Sequence, residues 1–113
     1  MEYDLNGTMI AANENGYLES ETDWTKELGS LIAVTEEIEM TDKHWDVVNY
    51  LRTEFLDNHG NQPNMRNITK AMQKAWGDKK LDTKAIYALF PAGPSKQAGK
   101  IAGLPESRRK GGY

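Results

Sequence analysis

The sequence predicts a mostly α-helical fold of the α+β class: a small orthogonal bundle of about five helices with an N-terminal β-hairpin. Two observations predict this class. After about residue 23, apolar residues recur at intervals of three and four, which is the period of a helix with one buried face. Before that point, Asn6-Gly7 stands between short apolar runs, which is the pattern of a tight hairpin turn.

The predicted hairpin pairs residues 3–5 with residues 9–10 across Asn6-Gly7, whose residue types tolerate the positive φ angles of a type I′ turn. A second turn signal precedes Tyr17-Leu18 and predicts a short third strand there. Two or three short strands are not stable alone. The hairpin must therefore pack against the helices that follow.

The first helix is predicted to begin at about Asp23, where Ser20 and Asp23 resemble a capping box. The second is predicted to run from an N-cap at Thr41 to a C′ stop at Gly60. The two apolar faces are formed by Trp24, Leu28, Leu31 and Ile32 in the first helix, and by Trp45, Val48, Leu51 and Phe55, with Val47 and Leu56 beside them, in the second.

Three further helices are predicted in the second half of the chain. One covers residues 64–76, one begins at an N-cap Thr83 and stops at Pro91, and one covers residues 96–102. We expect residues 1–105 to form one domain. The tail, residues 106–113, lacks an apolar pattern and is predicted to be a mobile basic arm.

Charge is divided sharply along the chain. Residues 1–60 carry 14 acidic and 3 basic side chains, whereas residues 61–113 carry 3 acidic and 11 basic ones, so that the net charge is only −3. The predicted third and fourth helices, joined by a short Gly-containing turn, have the outline of a helix-turn-helix. The basic residues that form candidate contacts with nucleic acid or an acidic partner are Arg66, Lys70, Lys74, Lys79, Lys80, Lys84, Lys100, Arg108, Arg109 and Lys110. A solvated face, a protein-docking face and a nucleic-acid-binding face all remain open from this pattern.

Catalytic and metal sites are not indicated by the sequence. The chain has no cysteine, which excludes disulfides, thiolate metal sites and cysteine nucleophiles. His44 and His59 would lie ~22 Å apart along one helix, too far to share a metal ion. Glu36, Glu37 and Glu39 form a charge run of the kind that is usually solvated. We therefore expect a protein that is not an enzyme, with no cofactor, metal or small-molecule substrate.

Membrane attachment is not indicated either. There is no run near 18 apolar residues and no charged-then-apolar leader, so we expect a cytoplasmic protein. The length of 113 residues and a hydrophobic content of 38% fit a globular domain rather than a disordered chain.

One stretch is specific enough to indicate a family. Residues 89–105, LFPAGPSKQAGKIAGLP, resemble the LFP-x-GP-x-KQA…AGLP segment of the DsrC/TusE family, the proteins of dissimilatory sulfite reductase (as its gamma subunit) and of tRNA thiolation. Other positions agree in order and spacing: Gly16-Tyr17-Leu18, Asp23-Trp24, His44-Trp45-Asp46, Leu51-Arg52, Pro63 and Arg66. The resemblance implies a small helical domain with an N-terminal hairpin and a flexible C-terminal arm. It also implies a partner-docking arm whose base is formed by Leu89, Phe90, Pro91, Gly93, Pro94, Lys96, Gln97, Gly103, Leu104 and Pro105.

The chain departs from this family at the residues that carry sulfur. The resemblance implies a cysteine near the end of the arm and, in sulfite-reductase partners, a second cysteine eleven positions upstream. Gly99 occupies the upstream position here, and either Lys110 or Gly112 occupies the arm position. Methionine cannot replace them, because a thioether has no ionisable S–H and does not enter thiol exchange.

Two functions follow as hypotheses. In the first, the chain docks on a sulfite reductase-like or sulfur-transfer complex and modulates it without carrying sulfur. In the second, the basic helix-turn-helix-like face binds DNA, and the protein is a transcriptional regulator of sulfur metabolism.

Overall fold

The computed structural model describes residues 1–106 and confirms the predicted class, five α-helices with a two-stranded antiparallel sheet. The elements, in chain order, are β1 Glu2–Leu5, β2 Thr8–Ala11, a 3₁₀ turn Glu21–Asp23, α1 Lys26–Thr35, α2 Asp42–Asp57, α3 Met65–Trp76, α4 Thr83–Leu89 and α5 Pro94–Ile101. The predicted mobile arm lies outside the described residues, apart from Glu106. No helix in residues 1–106 combines the length and apolarity that crossing a membrane requires.

The N-terminal hairpin is confirmed with the predicted turn. Asn6 and Gly7 adopt φ angles of 53° and 92°, the two positive values that a type I′ turn requires. Tyr3 pairs with Ile10 across the sheet, and its side chain is buried in the core. The predicted third strand is wrong in extent, because only an isolated bridge joins Ala12 to Leu18.

The predicted start of the first helix is also wrong. Ser20 caps the separate 3₁₀ turn, while α1 begins at Lys26 behind its own N-cap, Thr25. Trp24 lies between the two in an extended conformation. Its indole is committed to a hydrogen bond with the far end of the chain, at Ile101, so it does not belong to the face of α1.

Helix α2 begins at Thr41 as predicted, but it ends one residue differently. The left-handed C′ position expected at Gly60 falls on His59, with a φ of 55°, and Gly60 follows with a φ of 83°. The amide of Gly60 then donates to the carbonyl of Phe55, which completes a Schellman motif. Val47, predicted beside the apolar stripe, is completely buried, whereas Leu56 is exposed.

The remaining helices differ from the predictions at their starts, and α5 also ends at Ile101, one residue before the predicted Ala102. Helix α3 ends at Trp76 as predicted, with Gly77 in the left-handed conformation. Asp82, rather than Thr83, caps α4 by accepting a hydrogen bond from the amide of Ala85. Helix α5 starts two residues before the predicted Lys96, because Pro94 occupies the first helical position, where its missing N–H is harmless.

The helix-turn-helix-like pair gains no support from the structure. Residues 77–82 join α3 to α4, a connection longer than the three- or four-residue turn of that motif. The second helix, α4, has only seven residues, or about 10 Å of length. Such a helix is short for reading a DNA groove.

Helix α5 occupies the centre of the bundle, where it contacts α1, α2 and α4. Ala98, Ile101 and Ala102 are completely buried there. The part of the sequence that carries the family resemblance is therefore the middle of the core.

Candidate functional site

The candidate site is the base of the C-terminal arm, which comprises α5 and the residues on either side of it. Most of the predicted docking residues in this base are buried: Phe90, Gly93, Pro94, Gln97, Gly103 and Leu104. Buried side chains offer little surface to a partner, and docking by these residues stays a prediction. The exposed members of the predicted set are Pro91, Lys96 and Pro105, with Leu89 partly exposed.

Two side chains hold the C-terminal end of α5. The indole Nε1 of Trp24 donates to the carbonyl of Ile101 at 2.7 Å, and Nη1 of Arg52 donates to the carbonyl of Ala102, also at 2.7 Å. The guanidinium carbon of Arg52 lies 4.2 Å from the centre of the Trp24 ring, a cation–π contact. Helix-end carbonyls otherwise lack intrahelical donors, so this pair closes α5 and fixes where the chain leaves it.

Glycine is required where the chain turns under Trp24. Gly103 has a φ of 73°, and a Cβ atom there would lie 2.3 Å from Cδ1 of Trp24. A Cβ at Gly29 would lie 3.1 Å from Cζ2 and Nε1 of the same indole. The two glycines together leave space for the tryptophan, and Gly103 turns the chain at the end of α5.

Glu36 holds the middle of α5 from the end of α1. Its carboxylate accepts hydrogen bonds from Nζ of Lys100 at 3.2 Å and from Nε2 of Gln97 at 3.2 Å. Oε1 of Gln97 accepts in turn from the amide of Ala92, which orients the loop before the helix. Lys100, predicted as a partner contact, is thus engaged within the fold, and it also lies 5.2 Å from the ring centre of Tyr17.

His44 holds the start of the same segment, a role that the sequence analysis did not find. Its Nδ1 accepts from the backbone amide of Thr41 at 3.0 Å, which leaves the proton on Nε2 to donate to the carbonyl of Leu89 at 2.9 Å. The imidazole also packs edge-on against Phe90, with ring centres 5.1 Å apart. The histidine is therefore a structural link between α2 and the arm base.

The chain leaves the core between two groups of amides. Nε2 of Gln62 donates to the carbonyl of Pro105 at 3.1 Å. The carboxylate of Glu106 accepts from Nδ2 of Asn13 at 2.9 Å and from Nδ2 of Asn15 at 3.0 and 3.1 Å. The pKa of Tyr17 is raised, first by its burial and then by the negative charges of Glu106 and Glu36.

The structure leaves room for a side chain where the upstream family cysteine would stand. Gly99 is buried in α5, yet a Cβ atom there would meet nothing within 4 Å apart from its chain neighbours and the adjoining backbone of its own helix. Lys110 and Gly112, the alternative arm positions, lie outside the described residues. Because the whole chain contains no cysteine, none of these positions can form a thiolate or a persulfide.

The basic residues of α3 and its surroundings face solvent. In residues 1–106 the exposed members are Arg66, Lys70, Lys74, Lys79, Lys80 and Lys84, and none of them forms a salt bridge within that range. Arg108, Arg109 and Lys110 lie outside the described residues. Over the same described range, no cluster of acidic residues and histidines has the arrangement needed to hold a metal ion.

Relatives of known structure share this architecture. DsrC from Allochromatium vinosum superposes with a TM-score of 0.86 at 36% identity, covering 96% of this chain and 98% of that one. The oxidized gamma subunit of the dissimilatory sulfite reductase (DsrC) from Archaeoglobus fulgidus gives the same TM-score at 30% identity, with the same coverage of both chains.

Curated sequences agree over nearly the full length. Sulfurtransferase TusE from Yersinia pseudotuberculosis is 41% identical over 106 residues, which is 94% of this chain and 95% of the relative. Sulfurtransferase TusE from Salmonella paratyphi A is 42% identical over 100 residues, 88% of this chain and 91% of the relative. The family model described as DsrC like protein matches residues 4–109. The chain belongs to the DsrC-like protein family, as a member without cysteine.

Proposed function

We propose that this protein docks on a sulfite reductase-like or sulfur-transfer complex and regulates it without carrying sulfur. One observation supports the proposal: side chains from the rest of the domain hold the arm base in place, while the chain contains no thiol. Trp24, Arg52, Glu36 and His44 all hold the segment that leads to the arm.

The absence of cysteine separates docking from chemistry. A relay protein must form a covalent bond to the transferred sulfur, and that step requires a thiolate nucleophile. The five methionines offer only thioethers, which do not undergo thiol exchange. The protein would thus occupy a docking site and block or adjust transfer there, and we propose that it is not itself an enzyme.

The proposed docking surface combines a rigid base with a tail. The rigid part consists of the exposed residues Pro91, Lys96 and Pro105 around α5. We propose that residues 1–105 are the domain that presents this base and that residues 106–113 form the docking arm. Three consecutive basic residues in that arm, Arg108-Arg109-Lys110, favour an acidic receiving surface on the partner.

The test is a binding titration against the sulfite reductase or sulfur-transfer complex of the same organism, at about 50 and 200 mM salt, the range over which exposed charges become screened. We expect saturable binding that Lys96→Glu weakens, since the substitution reverses an exposed charge on α5. The matched control is Lys79→Glu, which makes the same charge change in the loop between α3 and α4. Absence of binding to either complex at the lower salt would contradict the proposal.

The DNA-binding alternative rests only on the exposed basic side chains of α3 and its neighbours, and no relative reported above is named as a DNA-binding protein. It predicts binding of duplex DNA that weakens steeply with salt. It also predicts that neutralising Arg66, Lys70 and Lys74 together reduces both the affinity and the salt dependence. An unchanged affinity in that triple variant would exclude this face as a DNA-binding surface.

A further inference from the structure

The loop that follows the hairpin, residues 13–16, contacts the residue from which the arm departs. We infer that Asn13 and Asn15 form a carboxamide clamp for Glu106 and that this clamp fixes the point on the domain from which the rest of the chain continues. The role of the clamp in presenting the arm to a partner rests on the proposed function. The clamp itself is a property of the protein alone.

The clamp is preorganised by its own loop. Oδ1 of Asn13 accepts hydrogen bonds from the backbone amides of Asn15 at 2.9 Å and Tyr17 at 3.1 Å. Because the oxygen is committed to these two donors, the side-chain NH₂ must point the other way. That NH₂ donates to Oε1 of Glu106 at 2.9 Å, so the amide orientation follows from the fold of the loop.

The loop is fixed to the core beneath it. The buried Tyr3 donates its hydroxyl hydrogen to the carbonyl of Gly16 at 2.6 Å, and the amide of Gly16 donates to the carbonyl of Asn13 at 3.0 Å. Gly16 has a φ of 89°, and a Cβ there would lie 2.8 Å from the Tyr3 hydroxyl. The hydroxyl of Tyr3 thus fixes the position of the loop that contains both asparagines.

The chain is held from the opposite side as well. Gln62, between α2 and α3, donates to the carbonyl of Pro105, while Asn15 contacts both carboxylate oxygens of Glu106. Two successive residues are therefore bonded to two different parts of the domain. A chain held at two successive residues has a defined position at Glu106.

The donors are suited to this task because they are neutral. If lysine or arginine side chains bound the carboxylate of Glu106, their positive charges would no longer be available to attract an acidic partner. Here amides supply every side-chain donor that the described structure shows at Glu106. Asn13, Asn15 and Gln62 are thus positioning residues for the arm.

Asn15→Ala tests the clamp, because it removes two of the three carboxylate contacts and leaves the amino acids around the arm cleavage sites unchanged. Trypsin cleaves after Arg108, and mass spectrometry follows the loss of the C-terminal residues. We expect cleavage to accelerate about fivefold, the factor that corresponds to about 1 kcal/mol of exposed hydrogen bonding. We also expect a lower ¹⁵N heteronuclear NOE at the backbone amide of Glu106.

The matched control is Glu14→Ala, a truncation in the same loop at an exposed residue that lies outside the clamp. It should leave both readouts at their wild-type values. If Asn15→Ala also leaves the cleavage rate and the NOE unchanged, the clamp does not fix the chain at Glu106 and the inference is wrong. Both readouts are made on the protein without any partner, so failure of the proposed docking function would not affect them.

Discussion

Replacing Arg52 by methionine probes the link between α2 and the end of α5. Methionine keeps much of the apolar stem but removes the hydrogen bond to the carbonyl of Ala102 and the cation–π contact with Trp24. Ala102 is completely buried, so its carbonyl would lose a charged donor in a place that water reaches poorly.

The expected loss can be built from these contacts. A hydrogen bond to a charged group contributes about 1.5–3 kcal/mol, and a partly exposed cation–π contact contributes about 0.5–1 kcal/mol. Burial opposes these gains, because it disfavours the charged guanidinium and so lowers the pKa of Arg52. The negative charge of Glu21 raises the same pKa, but by less. Because methionine does not bear that desolvation cost, we expect a net destabilisation of about 2 kcal/mol.

Equilibrium urea unfolding measures this change, since urea does not screen charge. With an m-value of about 1–3 kcal/mol/M, a loss of about 2 kcal/mol lowers the midpoint by roughly 0.7–2 M. The control is Arg66→Met, the same substitution at an exposed position on α3, which should change stability by less than about 0.5 kcal/mol. Equal midpoints for the two variants would refute the assignment of Arg52 as an anchor of α5.

Two further predictions concern the arm base and the loop below the clamp. Gly7→Ala should lower the free energy of unfolding by about 1–2 kcal/mol, because the residue has a positive φ and no neighbour to clash with. Gly103→Ala should lower it by at least about 1 kcal/mol more, because its Cβ would also overlap Trp24. Equal urea midpoints for the two variants would contradict this difference. The pKa of Tyr3 is raised above 10.0, chiefly by burial, so its contribution to stability is complete below pH 10 and is lost as the pH rises through the folded-state pKa. Tyr3→Phe should therefore flatten the alkaline loss of stability in urea unfolding as the pH rises above about 10, and an unchanged slope would show that Tyr3 does not titrate as described.

The parts of the fold that the sequence predicts best are those set by neighbouring residues. Asn6-Gly7 determines the hairpin turn because both residues accept positive φ. Thr41 is the N-cap of α2, as predicted. Asn64, predicted as the first residue of the third helix, is the N-cap of α3. These signals act within four residues, so they can be found without knowledge of the tertiary structure.

The errors arise where a distant contact decides the local structure. Trp24 has the right spacing for the face of α1, but its hydrogen bond to Ile101, 77 positions away, draws it out of the helix. His44 has the spacing of a helix-start residue, and only the fold places Leu89 against its Nε2. No local pattern encodes these pairings.

The candidate site shows the same division. The resemblance of residues 89–105 located the arm base, but it could not separate buried from exposed members. Phe90 and Leu104 prove to be core residues, whereas Lys96 faces solvent. The contacts of Asn13 and Asn15 with Glu106 span more than 90 positions and have no sequence signature.

The central proposal is that this protein docks on a sulfite reductase-like or sulfur-transfer complex without accepting sulfur. The most direct measurement is sulfur transfer between a cysteine-bearing relative and its partner complex, followed as increasing amounts of this protein are added, with its intact mass recorded at each point. We predict saturable inhibition of transfer with no gain of mass by one sulfur atom. Transfer that proceeds unchanged at saturating protein would contradict the docking claim, and a gain of one sulfur atom would contradict the claim that the chain cannot carry it.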